Sequence, residues 1–200
     1  MLKKIGNFLF KNRSYTPLPW VFLMILFMSP TLTTIIIGAV MVLIGEFIRL
    51  WAVSYAGSEA RTTGDVGGSN LVTQGPFGIV RNPLYIGNII IYVGVGVMSN
   101  ALFPWLTLFA FLYFVFQYYC IILNEEEYLQ NTFKEKFSLY KKKVHRFLPT
   151  FSRLPEELNS NITQSWKDEY NSEKRTFTSI LIICLLIIIF FIFRIKILAV

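Results

Sequence analysis

Cysteine and histidine are almost absent from this sequence, which limits the chemistry that it can carry. Among 200 residues there are two cysteines and one histidine. Cys120 and Cys184 each lie inside an apolar run without a partner at metal-ligand spacing, and His145 stands among lysines and arginines. We therefore expect no disulfide framework, no zinc or other metal site and no catalytic triad.

Charged residues are also scarce, at 16% of the chain, whereas apolar residues make up 54%. The charges are gathered into short stretches between long apolar runs, which is typical of neither a disordered chain nor a water-soluble domain. The net charge of +7 comes from basic blocks beside these runs. Such blocks suit anionic lipid headgroups, so we expect a membrane partner and no nucleic-acid partner.

Five apolar segments are candidates for crossing a bilayer. They lie at 17–29, 31–56, 84–98, 102–123 and 177–193. A short turn at Ser99 and Asn100 separates the third from the fourth, which predicts a helical hairpin. A cleaved signal peptide is the alternative for the first segment, but no A-x-A-like cleavage site follows it. The sequence thus predicts an all-α, polytopic bundle of about five transmembrane helices.

The positions of lysine and arginine predict the orientation of this bundle. They crowd the N-terminus, the loop after the second span and the polar stretch at 134–175, so all three should face the cytoplasm. Arg194 and Lys196, after the last span, are exceptions to this pattern. We expect a bacterial inner membrane with a cytoplasmic N-terminus, and an endoplasmic reticulum membrane is the alternative.

The polar stretch after the fourth span has a helical pattern of its own. Leu129, Phe133, Phe137, Tyr140 and Val144 recur at three- and four-residue spacing among lysines and glutamates. This spacing predicts a cytoplasmic amphipathic helix. Its simplest role is to lie on the bilayer surface with its apolar face toward the lipid.

A glycine-rich loop at 64–87 runs straight into the third predicted membrane helix. Glycines let backbone N–H groups approach a ligand, Pro83 favours the first helical turn, and free N–H groups there attract an anion such as a carboxylate. An ordinary flexible loop explains the glycine content equally well. No GK[ST] sequence follows, so a P-loop is excluded.

Polar side chains follow one face of that helix. Tyr85, Asn88, Tyr92 and Gly96 fall on this face among isoleucines, which predicts a polar partner opposite them. Close packing of helices through small residues such as Gly87 is compatible with this interpretation.

Ionisable residues also occur within and beside the spans. Glu46 and Arg49 are three residues apart on the second span, where they can pair on one helix face, and ionisable residues within a span are functional candidates. Because Arg49 lies toward the cytoplasmic end, we favour snorkelling or a structural pairing for it. Glu125, Glu126 and Glu127 follow each other where the chain leaves the fourth span. Clustered carboxylates repel each other unless a cation joins them, although a solvated helix start also attracts acids.

Two of these stretches form a recognisable pair of motifs. Residues 75–88 read Gly-Pro-Phe-Gly-Ile-Val-Arg-Asn-Pro-Leu-Tyr-Ile-Gly-Asn, and after the predicted hairpin Glu125-Glu126-Glu-Tyr-Leu129 leads to Phe133 and Tyr140. In order and spacing the chain resembles the isoprenylcysteine carboxyl methyltransferase and phospholipid methyltransferase superfamily. The resemblance covers about 44–149 of a membrane domain at 1–149. It leaves 150–175 as a polar linker and 176–200 as an additional span.

Three positions depart from the superfamily pattern. Asn82 stands in place of a histidine, and asparagine forms hydrogen bonds but cannot act as an imidazole acid or base. Lys134 replaces a glycine and Phe137 replaces a tyrosine, which weakens any functional role for these two positions.

The resemblance implies an S-adenosylmethionine-dependent methyltransferase whose acceptor enters from the bilayer. The acceptor is a prenylcysteine carboxylate, a phospholipid amine or another isoprenoid or lipid. Methyl transfer is an in-line displacement that needs no protein nucleophile, so positioning and electrostatics carry the catalysis. By the resemblance, Arg81, Asn82 and Tyr85 serve the chemistry. The cofactor-binding residues that it implies are Gln74, Arg81, Asn82, Pro83, Tyr85, Gly87, Glu125 and Glu126.

Two other functions explain parts of the sequence. A membrane reductase of the steroid 5α-reductase type has a similar helical arrangement, but binding the 2′-phosphate of NADPH calls for clustered arginines, and the loop has only Arg61 and Arg81. A non-enzymatic membrane scaffold explains the amphipathic helix and the last span but not the paired motifs. Neither the acceptor nor the oligomeric state can be derived from the sequence.

Overall fold

The computed structural model describes residues 2–57, 70–151, 153–158 and 166–198, and the side chains of 166–172 and 198 are outside this description. The described chain contains six α-helices and short 3-10 turns at Gly75–Gly78 and Glu156–Leu158. The helices are α1 (Leu2–Lys11), α2 (Leu18–Leu26), α3 (Leu32–Ala56), α4 (Pro83–Ser99), α5 (Trp105–Lys143) and α6 (Trp166–Leu198). The prediction of an all-α fold is confirmed.

Three of these helices, α3, α5 and α6, are long and apolar enough to cross a membrane, and α4 is a shorter apolar helix of 17 residues. Their outer faces expose more large apolar side chains than a water-soluble surface tolerates. Examples are Ile36, Val40, Leu43 and Phe47 on α3, Phe109 and Leu112 on α5, and Leu185, Ile189 and Phe193 on α6. The chain is therefore an integral, multi-pass membrane protein.

The segment at 17–29 differs from its prediction as a separate span. It forms only α2, whose nine residues extend about 14 Å, half of a hydrocarbon core. The unpredicted helix α1 precedes it and packs against α5, where Gly6 lies close to Asn124. After α2, the N–H of Ser29 donates to the carbonyl of Ser99 over 2.9 Å at the other end of the bundle. The prediction of about five transmembrane helices is therefore confirmed in part. Three described helices are long enough to cross a membrane, and α4 is a shorter apolar helix, whereas α2 is too short to cross by itself.

Helices α3 and α4 pack against each other through glycines. A Cβ on Gly38 would lie 2.5 Å from the carbonyl oxygen of Gly94, and one on Gly45 would lie 2.8 Å from that of Gly87. The two glycines of each helix are two turns apart and share a face. Any larger side chain at these positions would push the two backbones apart, so this contact fixes where α4 holds its polar face.

The turn between α4 and α5 lies where the sequence predicted it, with Asn100 in the left-handed conformation. The apolar part of α5 ends at Asn124, and the helix continues to Lys143 across a break at Lys134. The predicted amphipathic helix is therefore the far part of α5. Beyond the bundle, this part packs on the chain's own loops, since Phe137, Tyr140 and Val144 are buried against Leu71 and Leu158.

Candidate functional site

The two sequence motifs meet where α4 begins and the far part of α5 ends. The N–H of Arg81 donates to the carbonyl of His145 over 2.9 Å, and the N–H of Thr150 donates to that of Ile79 over 2.7 Å. The hydroxyl of Tyr140 donates to the carbonyl of Phe77 over 2.7 Å. These bonds hold the loop before α4 against the segment after α5, so distant parts of the sequence form one site.

An ion-pair cluster lies at the centre of this junction. Glu126 accepts from Arg81 Nη2 over 2.8 Å and from Arg146 Nη2 and Nε over 2.6 and 3.0 Å. Arg81 also donates to the carbonyls of Lys141 and Val144, at 3.1 and 2.6 Å, where α5 ends. The two arginines therefore occupy both oxygens of Glu126 and tie the two motifs together.

The surroundings of Glu126, which lies beyond the apolar part of α5, keep it ionised. Burial alone would raise its pKa, but the hydrogen bonds and charges of Arg146 and Arg81 outweigh this effect and hold the pKa below its ordinary value. The same hydrogen bonds to Glu126 raise the pKa of Arg146. Paired in this way, both groups stay charged at neutral pH.

Glu125 has a different environment from its neighbour Glu126. The hydroxyl of Tyr85 donates to Glu125 Oε1. The ring of Tyr85 stacks on that of Tyr118, with centroids 4.6 Å apart. Arg13, between α1 and α2, lies close enough for its charge to act on Glu125. A carboxylate, an aromatic pair and a nearby cation thus surround the start of α4.

The remaining predicted residues occupy different places. The Asn82 amide donates to the carbonyl of Arg146 over 3.2 Å, so it serves as a hydrogen-bond donor where the superfamily has histidine. Pro83 is buried at the first turn of α4. Gly87 faces α3 in the glycine contact and is not part of the cluster. Gln74 is half-buried before the 3-10 turn, which its side chain does not cap.

Two parts of the sequence analysis fall outside the described residues. The first part of the glycine-rich loop, at 64–69, and Arg61 belong to the stretch at 58–69. Residues 152 and 159–165 of the predicted linker at 150–175 are also outside the description, whereas its last part, from Trp166, already belongs to α6. The structure therefore describes the loop only from Asn70 onward, which includes the motif from Gly75 into α4.

The polar face of α4 does meet polar partners, as predicted. Arg49 Nη1 donates to Asn88 Oδ1, and Arg49 Nη2 pairs with Glu173 of α6. The Asn88 side chain also interacts with the hydroxyl of Tyr118. Arg49 forms its ion pair with Glu173, and it acts on Glu46, its expected partner, through its charge without a hydrogen bond to it. Among the described residues, no group hydrogen-bonds to the buried Glu46 Oε1.

Sequence reasoning missed two residues of this polar contact. Tyr118 lies in an apolar run of α5, where an aromatic residue carries no sign of a polar role. Glu173 precedes the apolar run of α6 as one acid among other charged residues. Its partner Arg49 is far away in sequence, and no periodic pattern links the two.

Comparison with known proteins matches residues 33–136, more than half of the chain, to the family described as phospholipid methyltransferase. The chain is also similar to the cobalt-zinc-cadmium resistance protein CzcN of Cupriavidus metallidurans. The two are 31% identical over 125 residues, which are 62% of this chain and 52% of the relative.

A second relative is the nickel-cobalt-cadmium resistance protein NccN of Alcaligenes xylosoxydans xylosoxydans. It is 32% identical over 123 residues, which are 60% of this chain and 51% of that protein. The chain thus spans about half the length of the curated relatives it matches. No solved structure matches it.

The matched residues 33–136 contain α3, α4 and α5 as far as the break at Lys134, together with both motifs up to Phe133. Helices α1, α2 and α6 lie outside this range. The resemblance drawn from the two motifs is confirmed, and the chain belongs to the phospholipid methyltransferase family.

Proposed function

We propose that this protein transfers a methyl group from S-adenosylmethionine to a lipid-like acceptor at the cytoplasmic face of a bacterial inner membrane. Family membership supports a methyltransferase reaction. The names of the curated relatives specify no reaction. The observation that carries the proposal is the contact between Tyr85 and Glu125 beside the Arg81–Glu126–Arg146 cluster, where the two family motifs meet.

The residues at this junction fit the charges of S-adenosylmethionine. Among the described residues, Arg81 Nε is a buried donor without a hydrogen-bond partner, which suits the cofactor's carboxylate. Glu125 offers a carboxylate for the ammonium group. The stacked rings of Tyr85 and Tyr118 suit the positive sulfonium, because aromatic faces attract cations.

The two neighbouring glutamates have separate roles in this proposal. Glu126 is neutralised by two guanidinium groups, so it holds Arg81 and Arg146 in place and does not bind the cofactor. Glu125 contacts the cofactor, and Tyr85 orients its carboxylate. When bound, the cofactor supplies an electrophilic methyl group. Catalysis then depends on holding the acceptor in line with this group and on excluding water.

An apolar groove between the N-terminal helices and α5 suits the chain of a lipid acceptor. Its volume is about 500 Å³, and it opens between α1, α2 and α5. Its lining consists of Phe8, Asn12, Tyr15, Thr16, Pro19, Trp20, Leu23 and Tyr113. Arg13, which stands in the sequence between the lining residues Asn12 and Tyr15, acts on Glu125 through its charge. We infer that an acyl or prenyl chain lies here while the polar end of the acceptor reaches Glu125. The acceptor classes remain the prenylcysteine carboxylate, the phospholipid amine and other lipids.

The first experiment is calorimetric titration of the detergent-purified protein with S-adenosylmethionine and, separately, with NADPH. Wild type is compared with Glu125→Gln and with Glu127→Gln. We expect saturable binding of S-adenosylmethionine, weakened about tenfold by Glu125→Gln because a charge-assisted contact is lost. Among the described residues, Glu127 pairs with the exposed Lys3 at the protein surface, so Glu127→Gln should leave affinity unchanged.

Each other outcome points to a different function. Binding of NADPH alone would favour the reductase. A folded protein that binds neither compound would favour the scaffold, and the family resemblance would then reflect ancestry without activity. Equal affinity in wild type and Glu125→Gln would remove Glu125 from the cofactor site.

A further inference from the structure

We propose that Arg49 is a positioning residue of the methyl-transfer site and that Glu173, on the C-terminal helix α6, holds it in place. This inference rests on the proposed function. Helix α6 lies outside the residues that match the family. The proposal therefore gives α6, a helix outside the family match, a role in positioning the residues of the site.

Arg49 joins three helices through its forked guanidinium group. From α3, its Nη1 donates to Asn88 on α4 and its Nη2 pairs with Glu173 on α6. The side chains of Arg49 and Glu173 are each 11% exposed. A buried guanidinium that satisfies two partners on different helices fixes their relative positions, which a single lysine amine does less well.

A continuous series of contacts leads from this ion pair to the candidate site. Asn88, bound by Arg49, also interacts with the hydroxyl of Tyr118. Tyr118 stacks on Tyr85, which in turn donates to Glu125. The carboxylate of Glu125 therefore depends for its orientation on a side chain that Arg49 and α6 hold in place.

The charges around Arg49 predict how substitutions will combine. Glu46 lies one helical turn from Arg49 and is only 7% exposed, so Arg49 is the cation shared by two buried acids. Loss of Arg49 alone removes the cation that acts on both buried acids, whereas loss of Arg49 together with Glu173 removes a balanced pair. Removing one partner of a buried ion pair destabilises a protein more than removing both partners. The double substitution should therefore be milder than the single substitution of Arg49.

The test measures the dissociation constant for S-adenosylmethionine by calorimetry and thermal unfolding of the cofactor-free protein. The variants are Arg49→Gln, Glu173→Gln and the two combined. We expect Arg49→Gln to weaken binding about tenfold and the double variant to weaken it about threefold, a non-additive result. The control is Lys174→Gln, which removes a charge from the next, exposed residue of α6 and should leave binding unchanged.

A purely structural role predicts a different result. The unfolding temperature would fall in Arg49→Gln while the affinity of the folded protein stayed at the wild-type value, and this outcome would overturn the inference. If Arg49→Gln does not fold, Arg49→Lys keeps the positive charge but loses the fork, and it should weaken binding several-fold. Wild-type affinity in Arg49→Lys would then also overturn the inference. Absence of binding in folded wild type would refute the proposed function and this inference together.

Discussion

Lys134 has a backbone conformation that glycine adopts far more readily. Its φ is 42° and its ψ is −108°, in the middle of the long helix α5. Side chains on either side support the break, since Gln130 Nε2 and Ser138 Oγ both donate to the carbonyl of Lys134, over 3.0 and 3.1 Å. The superfamily pattern has glycine at this position, and the structure gives the physical reason: a residue with a Cβ is strained there.

We therefore expect Lys134→Gly to stabilise the protein by about 0.5–1 kcal/mol. Relief of strain at positive φ exceeds the extra freedom that glycine gives the unfolded chain. The measurement is thermal unfolding in detergent. The matched control is Lys136→Gly, an exposed lysine within the regular helix beyond the break, which should cost about 1 kcal/mol. Destabilisation by both substitutions would mean that Lys134 is not strained.

Adjacent residues on a helix can have unrelated roles, and this limited the sequence prediction of the site. Glu125 and Glu126 are equivalent in the motif, but successive residues of a helix point about 100° apart. One therefore meets Tyr85 and the other meets two arginines. The sequence predicted that both motifs belong to one site. It could not predict which contacts each of the two glutamates makes, because that depends on which helix faces each of them.

At the scale of helices, the length of an apolar run predicted α3 and α5, whereas the N-terminal crossing was misread. An apolar run at 17–29 looks like a short span, but only Leu18–Leu26 is helical, and α1 and α2 each pack on α5. Gly6 allows α1 to lie directly against α5, and Trp20 of α2 packs on Tyr113 with ring centroids 5.4 Å apart. Neither contact has a periodic sequence signal, because each depends on the shape of α5. The break between α1 and α2 is also where the apolar groove opens.

This groove provides a prediction about the acceptor. Leu23→Trp adds an aromatic ring to the groove wall, so it should raise KM for a lipid acceptor several-fold and leave S-adenosylmethionine affinity unchanged. The measurement is transfer of labelled methyl groups to a synthetic prenylcysteine and to an amine-bearing phospholipid. Leu26→Trp is the control, because Leu26 lies on the same helix but is 59% exposed and outside the groove lining. Equal KM in wild type and both variants would place the acceptor elsewhere.

At the scale of the whole molecule, the junction of the two motifs lies at one end of the bundle and the turn at Asn100 at the other. Lys141, Lys142 and Lys143 end α5 on the side of the junction. Helix α6 begins on that side too, since Glu173 binds Arg49, and it ends with Lys196 in its last turn at the opposite end. The direction of α6 thus agrees with the prediction that Arg194 and Lys196 are the exceptions in the distribution of basic residues.

The proposed function requires the junction to face the cytoplasm, where S-adenosylmethionine is made, and this orientation can be measured with a charged maleimide. Leu102→Cys, at the exposed turn, should react in intact cells, whereas Lys142→Cys should react only after the membrane is opened. Wild type is the blank, because Cys120 is buried and Cys184 lies within the apolar run of α6, where a charged reagent does not reach. This pattern is expected because basic residues favour the cytoplasmic side of a membrane. The reverse labelling pattern would place Glu125 and Arg81 away from the cofactor supply, so it would contradict both the predicted orientation and methyl transfer at this site.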